Sequence, residues 1–490
     1  MTARHLFSFV LLAGIWTAWP VGGPARSLTA AGRLPPAGPE SRLARCTLPG
    51  VNGPALCGTL VVAEDRAARR GRTIPLKVAV LPATGPDRRL DPVVYLAGGG
   101  VLPATRYARF FAERFATLRQ TRDVLLVDQR GTGGSNPLAC TLPAPDQMGT
   151  DAYLEAVRAC RAALERRADL RLYGTATAMD DLDDVRAWLG YDVLNVWGMS
   201  YGSFAAQVYA RQHPGRVRTL TLTGPMPLDT PMWLDLARSA QDVLEMVLSE
   251  CQAQAACRAA YPEIRRELDT GLDRLARTPA TVSVEKSDGS IAKANFSDRQ
   301  FRDLLSAAMY TARGMGDVPH FIHSLFNGDY APMAAILAEE APPDAAAPRG
   351  LFLSLLCTES IPKVDPAAIP AATAATFVGD FPIRAQLRVC GEWPRADLPE
   401  GFWKPVHAAV PMLALVGALD HTTPPRYAQS IVRGFSNGRA IVLPGRGHND
   451  IDACVAGLIE SFVRDGRPQA VDAACAARKE PLRFRMPSTR

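Results

Sequence analysis

A short β-branched run, Val193-Leu194-Asn195-Val196-Trp197, leads straight into Gly198-Met199-Ser200-Tyr201-Gly202. A helix-compatible stretch, Ser203 to Gln212, follows and closes at His213-Pro214. Strand, G-x-S-x-G, helix constrains this chain more than any other feature, because few backbones satisfy it. The turn must be sharp enough to force Ser200 into strained angles, and a Cβ at either flanking glycine would collide with it. Such a turn presents a hydroxyl at the head of a helix, where the dipole favours developing negative charge. The plain alternative is a tight turn with an incidental serine; the strand before and the helix after favour a nucleophile.

The same alternation recurs along the chain. Val93-Val94-Tyr95-Leu96 and Val124-Leu125-Leu126-Val127 are short, rich in β-branched residues and followed closely by Gly or Asp, which predicts buried parallel strands. Leu220 to Thr223, Met412 to Val416 and Arg439 to Leu443 add three more, and Gly58 to Ala63 and Ile74 to Leu81 read as edge strands. Helical spacing at Leu182, Val185, Arg186 and Leu189 falls between them, so the pattern is that of a mostly parallel α/β sheet. From Pro227 to about Pro394 the rhythm becomes helical, with Trp233, Leu236, Ala240, Val243, Leu244 and Val247 at i, i+3, i+4 spacing. The expected organisation is a leader over 1–31, a first core part over 32–226, a helical cap insertion over 227–395 and a second core part over 396–490. The basic end, Arg478 to Arg490, reads as a solvated tail.

The leader is expected because Arg4 and His5 precede the apolar run Leu6 to Trp16 and a small-residue zone reaching Ala31. That is the order of a secretory signal peptide, and the run falls short of the ~20 residues a spanning helix needs. Ala25 and Ala31 both fit a cleavage point. The 10 Cys fall in close pairs, and the neighbour pairing is Cys46/Cys57, Cys140/Cys160, Cys251/Cys257, Cys357/Cys390 and Cys454/Cys475. Ten cysteines allow about 945 connectivities, so short loops alone favour this set. Metal binding is the rival reading, but the chain has no C-x-x-C and no His at ligand spacing from a Cys. An oxidising compartment makes structural disulfides the better account. The 55 Lys+Arg against 49 Asp+Glu leave +6, diluted over 490 residues with no long basic run, which argues against a nucleic-acid module.

A nucleophilic serine needs a base and an acid, and in this kind of sheet they follow it in the order acid, then His. Of seven His, His5 lies in the leader, His213 closes the nucleophile helix, His320 and His323 lie in the insertion, and His407 precedes a strand. His421 and His448 remain, and His448 sits in Pro444-Gly445-Arg446-Gly447-His448-Asn449, a glycine-bearing loop after the last strand. That loop can present an imidazole at the carboxyl edge of the sheet, so His448 is the expected base. Asp420, after Leu415-Val416-Gly417, is the expected acid, with Asp229 as runner-up. Thr423, before Pro424, is expected to cap the next helix. The oxyanion donors are expected to be the amides of Tyr201 and of Gly99 and Gly100, in Leu96-Ala97-Gly98-Gly99-Gly100-Val101. A phosphate-binding reading of that glycine run is weak, since no Lys-Ser/Thr follows and no G-x-G-x-x-G is completed.

Four stretches together resemble the α/β-hydrolase peptidases of the prolyl and tripeptidyl aminopeptidase type. They are Gly98-Gly99-Gly100, Val127-Asp128-Gln129-Arg130-Gly131-Thr132-Gly133-Gly134-Ser135, Trp197 to Gly202, and Gly417 to Pro424 with Gly447-His448. Cys390-Gly391-Glu392-Trp393-Pro394 is also similar to the C-x-x-W segment of secreted tripeptidyl aminopeptidase-like members. The resemblance implies an α/β-hydrolase fold with a helical cap. It also implies an exported serine aminopeptidase that releases short peptides or single residues from free N-termini through an acyl-enzyme. Its partner would be a peptide substrate, with no cofactor, metal, nucleic acid or stable membrane anchor. Within the resemblance an acidic residue of the insertion grips the substrate amine; Glu359, in Cys357-Thr358-Glu359-Ser360, is the expected one, fixed by a neighbouring disulfide. Asp128-Gln129-Arg130 would turn the chain after its strand and support the elbow. Two departures stand out: Gly100-Val101 where the family has Pro-Gly, and Thr223 before Gly224 where it commonly has Asp. Three alternatives stay open: an exported esterase or lipase with the same triad, an acyl- or peptidyl-transferase, and a catalytically silent hydrolase fold used for binding. A wide apolar pocket would favour the esterase over a site with an acidic anchor.

Overall fold

The computed structural model describes residues 38–68, 70–143, 147–285, 289–330, 332–333, 347–478 and 480–487. The expected leader, 1–31, lies outside them, as do residues 479 and 488–490 of the tail.

Eleven strands are present among the described residues. Nine form one sheet: β1 (Ala44–Cys46), β2 (Ala55–Ala63), β3 (Thr73–Leu81), β4 (Arg89–Leu96), β5 (Arg122–Val127), β6 (Leu194–Met199), β7 (Val217–Thr223), β10 (Met412–Gly417) and β11 (Gly438–Leu443). Their order is β1-β2-β3-β5-β4-β6-β7-β10-β11. The β1, β2, β3 and β5 neighbours pair antiparallel, and from β5 to β11 every pairing is parallel. The sheet is thus the mostly parallel one that the α/β-hydrolase resemblance implies.

Its strands read as near-continuous apolar runs because both faces are covered. Along β4, Val94 and Leu96 point into one apolar layer, while Val93 and Tyr95 point into the other. Val196 and Trp197 of β6, and Ala414 and Leu415 of β10, split the same way. The first layer packs on α3 (Thr175–Trp188) and α4 (Tyr201–Gln212), through residues such as Leu182, Phe204 and Val208. The second packs on α1 (Ala108–Arg114) and on the helix Ala453–Asp465, through Phe111, Ile459 and Phe462. The remaining early helix, α2 (Asp151–Glu165), belongs to a separate cluster with Leu351, Ile383 and Trp393.

Between β7 and β10 the chain is largely helical, and the periodic run from Trp233 to Val247 forms the helix Met232–Ala253. It is not purely helical: β8 (Ala280–Glu285) and β9 (Ile291–Phe296) form an antiparallel hairpin. Alternation in Thr281-Val282-Ser283-Val284 and Ile291-Ala292-Lys293-Ala294 favours strands there, which the surrounding helical rhythm masks. This stretch has its own core, including Val243, Leu272, Phe301 and Ile322, and Leu419 beside the acid loop packs against it.

The ten cysteines form five bonds between sequence neighbours, Cys46–Cys57, Cys140–Cys160, Cys251–Cys257, Cys357–Cys390 and Cys454–Cys475. Among the described residues no helix is long and apolar enough to cross a membrane.

Candidate active site

β6 delivers the serine. Ser200 follows Met199 at φ 54°, ψ −122°, a strained conformation for a residue with a side chain, and it stands at the head of α4. The flanking glycines are obligatory: a Cβ on Gly198 would run into the carbonyl of Gly202, and one on Gly202 into the carbonyl of Leu96. The Ser200 amide donates to Thr223 O of β7 at 2.9 Å, and Ser203 Oγ returns a bond to Ser200 O at 2.5 Å.

β10 and β11 deliver the other two groups. Gly417 ends β10 with no room for a side chain, since a Cβ would strike the carbonyls of Arg446 and Gly447. That contact seats the loop holding Asp420 against the loop holding His448. Asp420 Oδ2 lies 2.8 Å from His448 Nδ1, and both side chains are buried. Asp420 Oδ1 accepts from the amides of Thr422 and Thr423 at 2.9 and 2.7 Å. Thr423 Oγ1 donates to Oδ2 at 2.7 Å and lies 3.1 Å from His448 Nδ1. The expectation for Thr423 is therefore corrected: the helix Pro425–Val432 starts after Pro424 with no side-chain cap, and the hydroxyl serves the carboxylate instead.

This geometry sets the tautomer of His448. The carboxylate only accepts, and the Thr423 hydrogen is committed to it, so the ring proton belongs on Nδ1. Nε2 then carries the lone pair a general base needs. The serine and the imidazole meet at one point of β7: Ser200 bonds Thr223, and on the next residue, Gly224, an added Cβ would sit 2.8 Å from His448 Cε1. Gly224 has φ 55°, which suits a residue without a side chain. The Thr223 hydroxyl, where the family commonly has Asp, accepts from Trp197 Nε1 at 3.0 Å beneath the elbow.

On the other side of the serine, Gly98, Gly99 and Gly100 form a tight turn, with φ 71° at Gly99 and at Gly100. Of the three, Gly98 lies against the serine, where an added Cβ would be 3.3 Å from Ser200 Cβ. Gly100 is hemmed in by Leu355 and the Tyr201 ring. Tyr201 opens α4 directly after the serine, with its ring against Gly100 of this turn.

Asp229, the runner-up acid, is exposed; it accepts from Thr230 Oγ1 at 3.4 Å and attracts Lys363, while Asp420 is the carboxylate on His448. His213 pairs with Asp180, and His323 with Glu267. His421 is buried beside Asp420 with Nε2 3.3 Å from Ser306 Oγ, and burial pushes its pKa down to about 4. Tyr310 stands edge-on to both His421 and His448, at 5.0 and 5.5 Å between ring centres.

Glu359, the expected grip for the substrate amine, is buried against Thr175. The residue is 2% exposed, Oε1 accepts from Thr175 N–H and Oε2 meets Thr175 Oγ1, both at 2.6 Å. Each oxygen carries one hydrogen bond from Thr175, and an ionised carboxylate keeps a further lone pair on each. Burial pushes its pKa up to about 7, against the opposing effect of the Thr175 bonds. Of the Asp128-Gln129-Arg130 stretch, Asp128 accepts from the amides of Thr105 and Gly134, and Arg130 forks onto Asp181. Gln129 Nε2 donates to the Tyr201 phenol at 3.1 Å, which ties the stretch to the elbow. Thr175 and Tyr310 escaped the sequence reading, Thr423 entered it only as a helix cap, and Gly224 only as the residue after Thr223.

Residues 92–452 match the family described as alpha/beta hydrolase fold. The chain is 23% identical over 471 residues to serine protease Hip1 of Mycobacterium tuberculosis, covering 87% of this chain and 88% of that one. It is 24% identical over 475 residues to a tripeptidyl aminopeptidase of Streptomyces lividans, covering 87% and 85%. A solved structure of proline iminopeptidase from Mycobacterium smegmatis matches at 16% identity with a TM-score of 0.38, covering 85% of this chain and 100% of that one. From the family match over most of its length, and from the peptidases related to it along nearly all of it, the chain belongs to the alpha/beta hydrolase fold family and is a serine hydrolase.

Proposed function

We propose that this protein is an exported serine aminopeptidase that releases short peptides or single residues from free N-termini through an acyl-enzyme. The observation that supports the reading is the buried Asp420–His448 pair after β10 and β11, with His448 against Gly224, the residue after the Thr223 whose carbonyl takes the Ser200 amide. The names of the two long relatives support peptide over ester as the substrate class. Five disulfides support an oxidising destination.

In the proposed mechanism Ser200 Oγ attacks the scissile carbonyl carbon while His448 Nε2 takes the hydroxyl proton. The tetrahedral oxyanion is held by the amide of Tyr201 and by those of Gly99 and Gly100. Collapse breaks the C–N bond, and His448 returns its proton to the departing amine. Water then gives a proton to His448 and its hydroxide to the acyl carbon, and Ser200 leaves with the proton back on its oxygen. Asp420 stays ionised throughout, orienting the ring and stabilising the imidazolium.

The test is hydrolysis by purified protein of matched chromogenic peptide amides with free or blocked N-termini, beside simple aryl esters, with Ser200→Ala as control. Turnover of free-N-terminus peptides alone, lost by about 10⁴-fold or more in Ser200→Ala, is expected. Equal turnover of blocked peptides would reject the aminopeptidase reading, and ester turnover without amide turnover would favour an exported esterase.

A further inference from the structure

We propose that Glu359 is a positioning residue for hydrolysis: through Thr175 it sets the hydrogen-bond direction and the seat of Tyr201, whose backbone amide faces the oxyanion. This rests on the reading of Ser200 as nucleophile and of Tyr201 as oxyanion donor. Glu359 sits on a single π-helical turn, Leu356–Ser360, anchored by the Cys357–Cys390 bond and by Trp403 Nε1 donating to the Glu359 carbonyl at 2.8 Å. From its carboxyl a line of contacts runs to the elbow. Oε2 meets Thr175 Oγ1 at 2.6 Å, Thr175 Oγ1 lies 2.7 Å from the Tyr201 hydroxyl, and Gln129 Nε2 donates to that hydroxyl at 3.1 Å. The ring so held also closes on Gly100, where an added Cβ would be 3.4 Å from it. Moving the ring would disturb both sides of the oxyanion site.

Donor counting gives the line a direction. An ionised carboxylate only accepts, so the Thr175 hydroxyl donates to Oε2, Tyr201 donates to Thr175, and the phenol oxygen accepts from Gln129. Every hydrogen then has an acceptor. A proton on the carboxyl must sit on Oε2, because Oε1 faces the Thr175 N–H, which only donates. The carboxyl then donates to Thr175, and one hydroxyl hydrogen of Thr175 or Tyr201 loses its acceptor within the line. The titratable groups that face Glu359 are Tyr201 and Lys363. Burial holds the carboxyl near 7 despite Lys363, itself pushed down to about 8, so the line reverses close to neutral pH.

The experiment compares Glu359→Gln, Thr175→Val, Thr175→Ser, Tyr201→Phe and the double variant Glu359→Gln/Tyr201→Phe, each checked for folding by thermal melting. Labelling by a fluorophosphonate probe that is lost in Ser200→Ala tests the nucleophile separately; no labelling of the parent protein overturns the underlying reading and this proposal together. With labelling intact, Glu359→Gln is expected to lower kcat by about 10- to 100-fold near pH 8.5 and to leave KM within about twofold. Its amide places a donor where the protonated carboxyl would, so the loss relative to the parent should shrink toward none by about pH 5.5. Thr175→Ser should recover most of the activity that Thr175→Val loses. In the Tyr201→Phe background the added Glu359→Gln should cost little more, because the line is already cut. A rise in KM with kcat unchanged would return Glu359 to substrate binding. A loss independent of pH and additive with Tyr201→Phe would make it merely structural. Either result overturns the proposal. Should Glu359→Gln fail to fold, the Thr175 pair decides: equal kcat in the Val and Ser variants overturns it.

Discussion

At the scale of single residues, Thr423 carries more of the site than its position before a proline suggests. Its hydroxyl is the second donor to Asp420 Oδ2 and closes the Nδ1 edge of His448. Thr423→Val keeps the shape and removes the bond, so kcat is expected to fall about tenfold with little change in KM. Equal kcat in the two proteins would show that Asp420 alone holds the ring. His421 shows the opposite use of burial. It stays neutral in the fold with a pKa near 4, whereas the unfolded chain takes up that proton near 6.5. Its contribution to stability is whole above about 6.5 and is lost as pH falls toward 4, at ~1.4 kcal/mol per unit in between. His421→Gln should therefore flatten the fall of Tm between those two pH values, and parallel Tm curves would refute the assignment.

At the scale of elements, the strand–turn–helix at Ser200 depends on backbones approaching where a side chain cannot fit. Gly202 faces the Leu96 carbonyl, so Gly202→Ala should cost about 3 kcal/mol or more, or prevent recovery of folded protein. Gly457 is the matched control: it lies within the helix Ala453–Asp465, is exposed, and an added Cβ meets nothing within 4 Å. Gly457→Ala should stabilise by about 0.4–1 kcal/mol in urea unfolding. A small effect of the Gly202 change would mean the elbow can relax away from β4. The π turn at Glu359 is a second irregular element, and there the support is covalent as well as packed.

At the scale of the whole molecule, the disulfides tie segments that share a core. Cys140–Cys160 and Cys357–Cys390 both lie in the cluster that joins α2 to the helices after residue 349. Replacing Cys357 and Cys390 together by Ser opens a loop of sequence separation 33 and is expected to cost about 3–4 kcal/mol in denaturant unfolding. An unchanged midpoint would show that packing alone holds the π turn. The sheet and the elbow were legible beforehand because short-range chemistry dictates them: β-branched runs between glycines make buried strands, and G-x-S-x-G tolerates only one turn. The loop holding His448 was legible because it follows a readable strand. The Glu359 environment was not, since its partner Thr175 is 184 residues away and no local pattern links the two. The β8–β9 hairpin was hidden by helical neighbours, and Thr423 by a proline that makes it look like a cap. By itself the sequence determined the parallel strands of the main sheet and the turn that exposes Ser200, through local steric limits on each backbone. Which distant side chains became partners was decided only by the tertiary structure, because burial removes water and leaves each polar group to find whatever the fold brings within 3 Å.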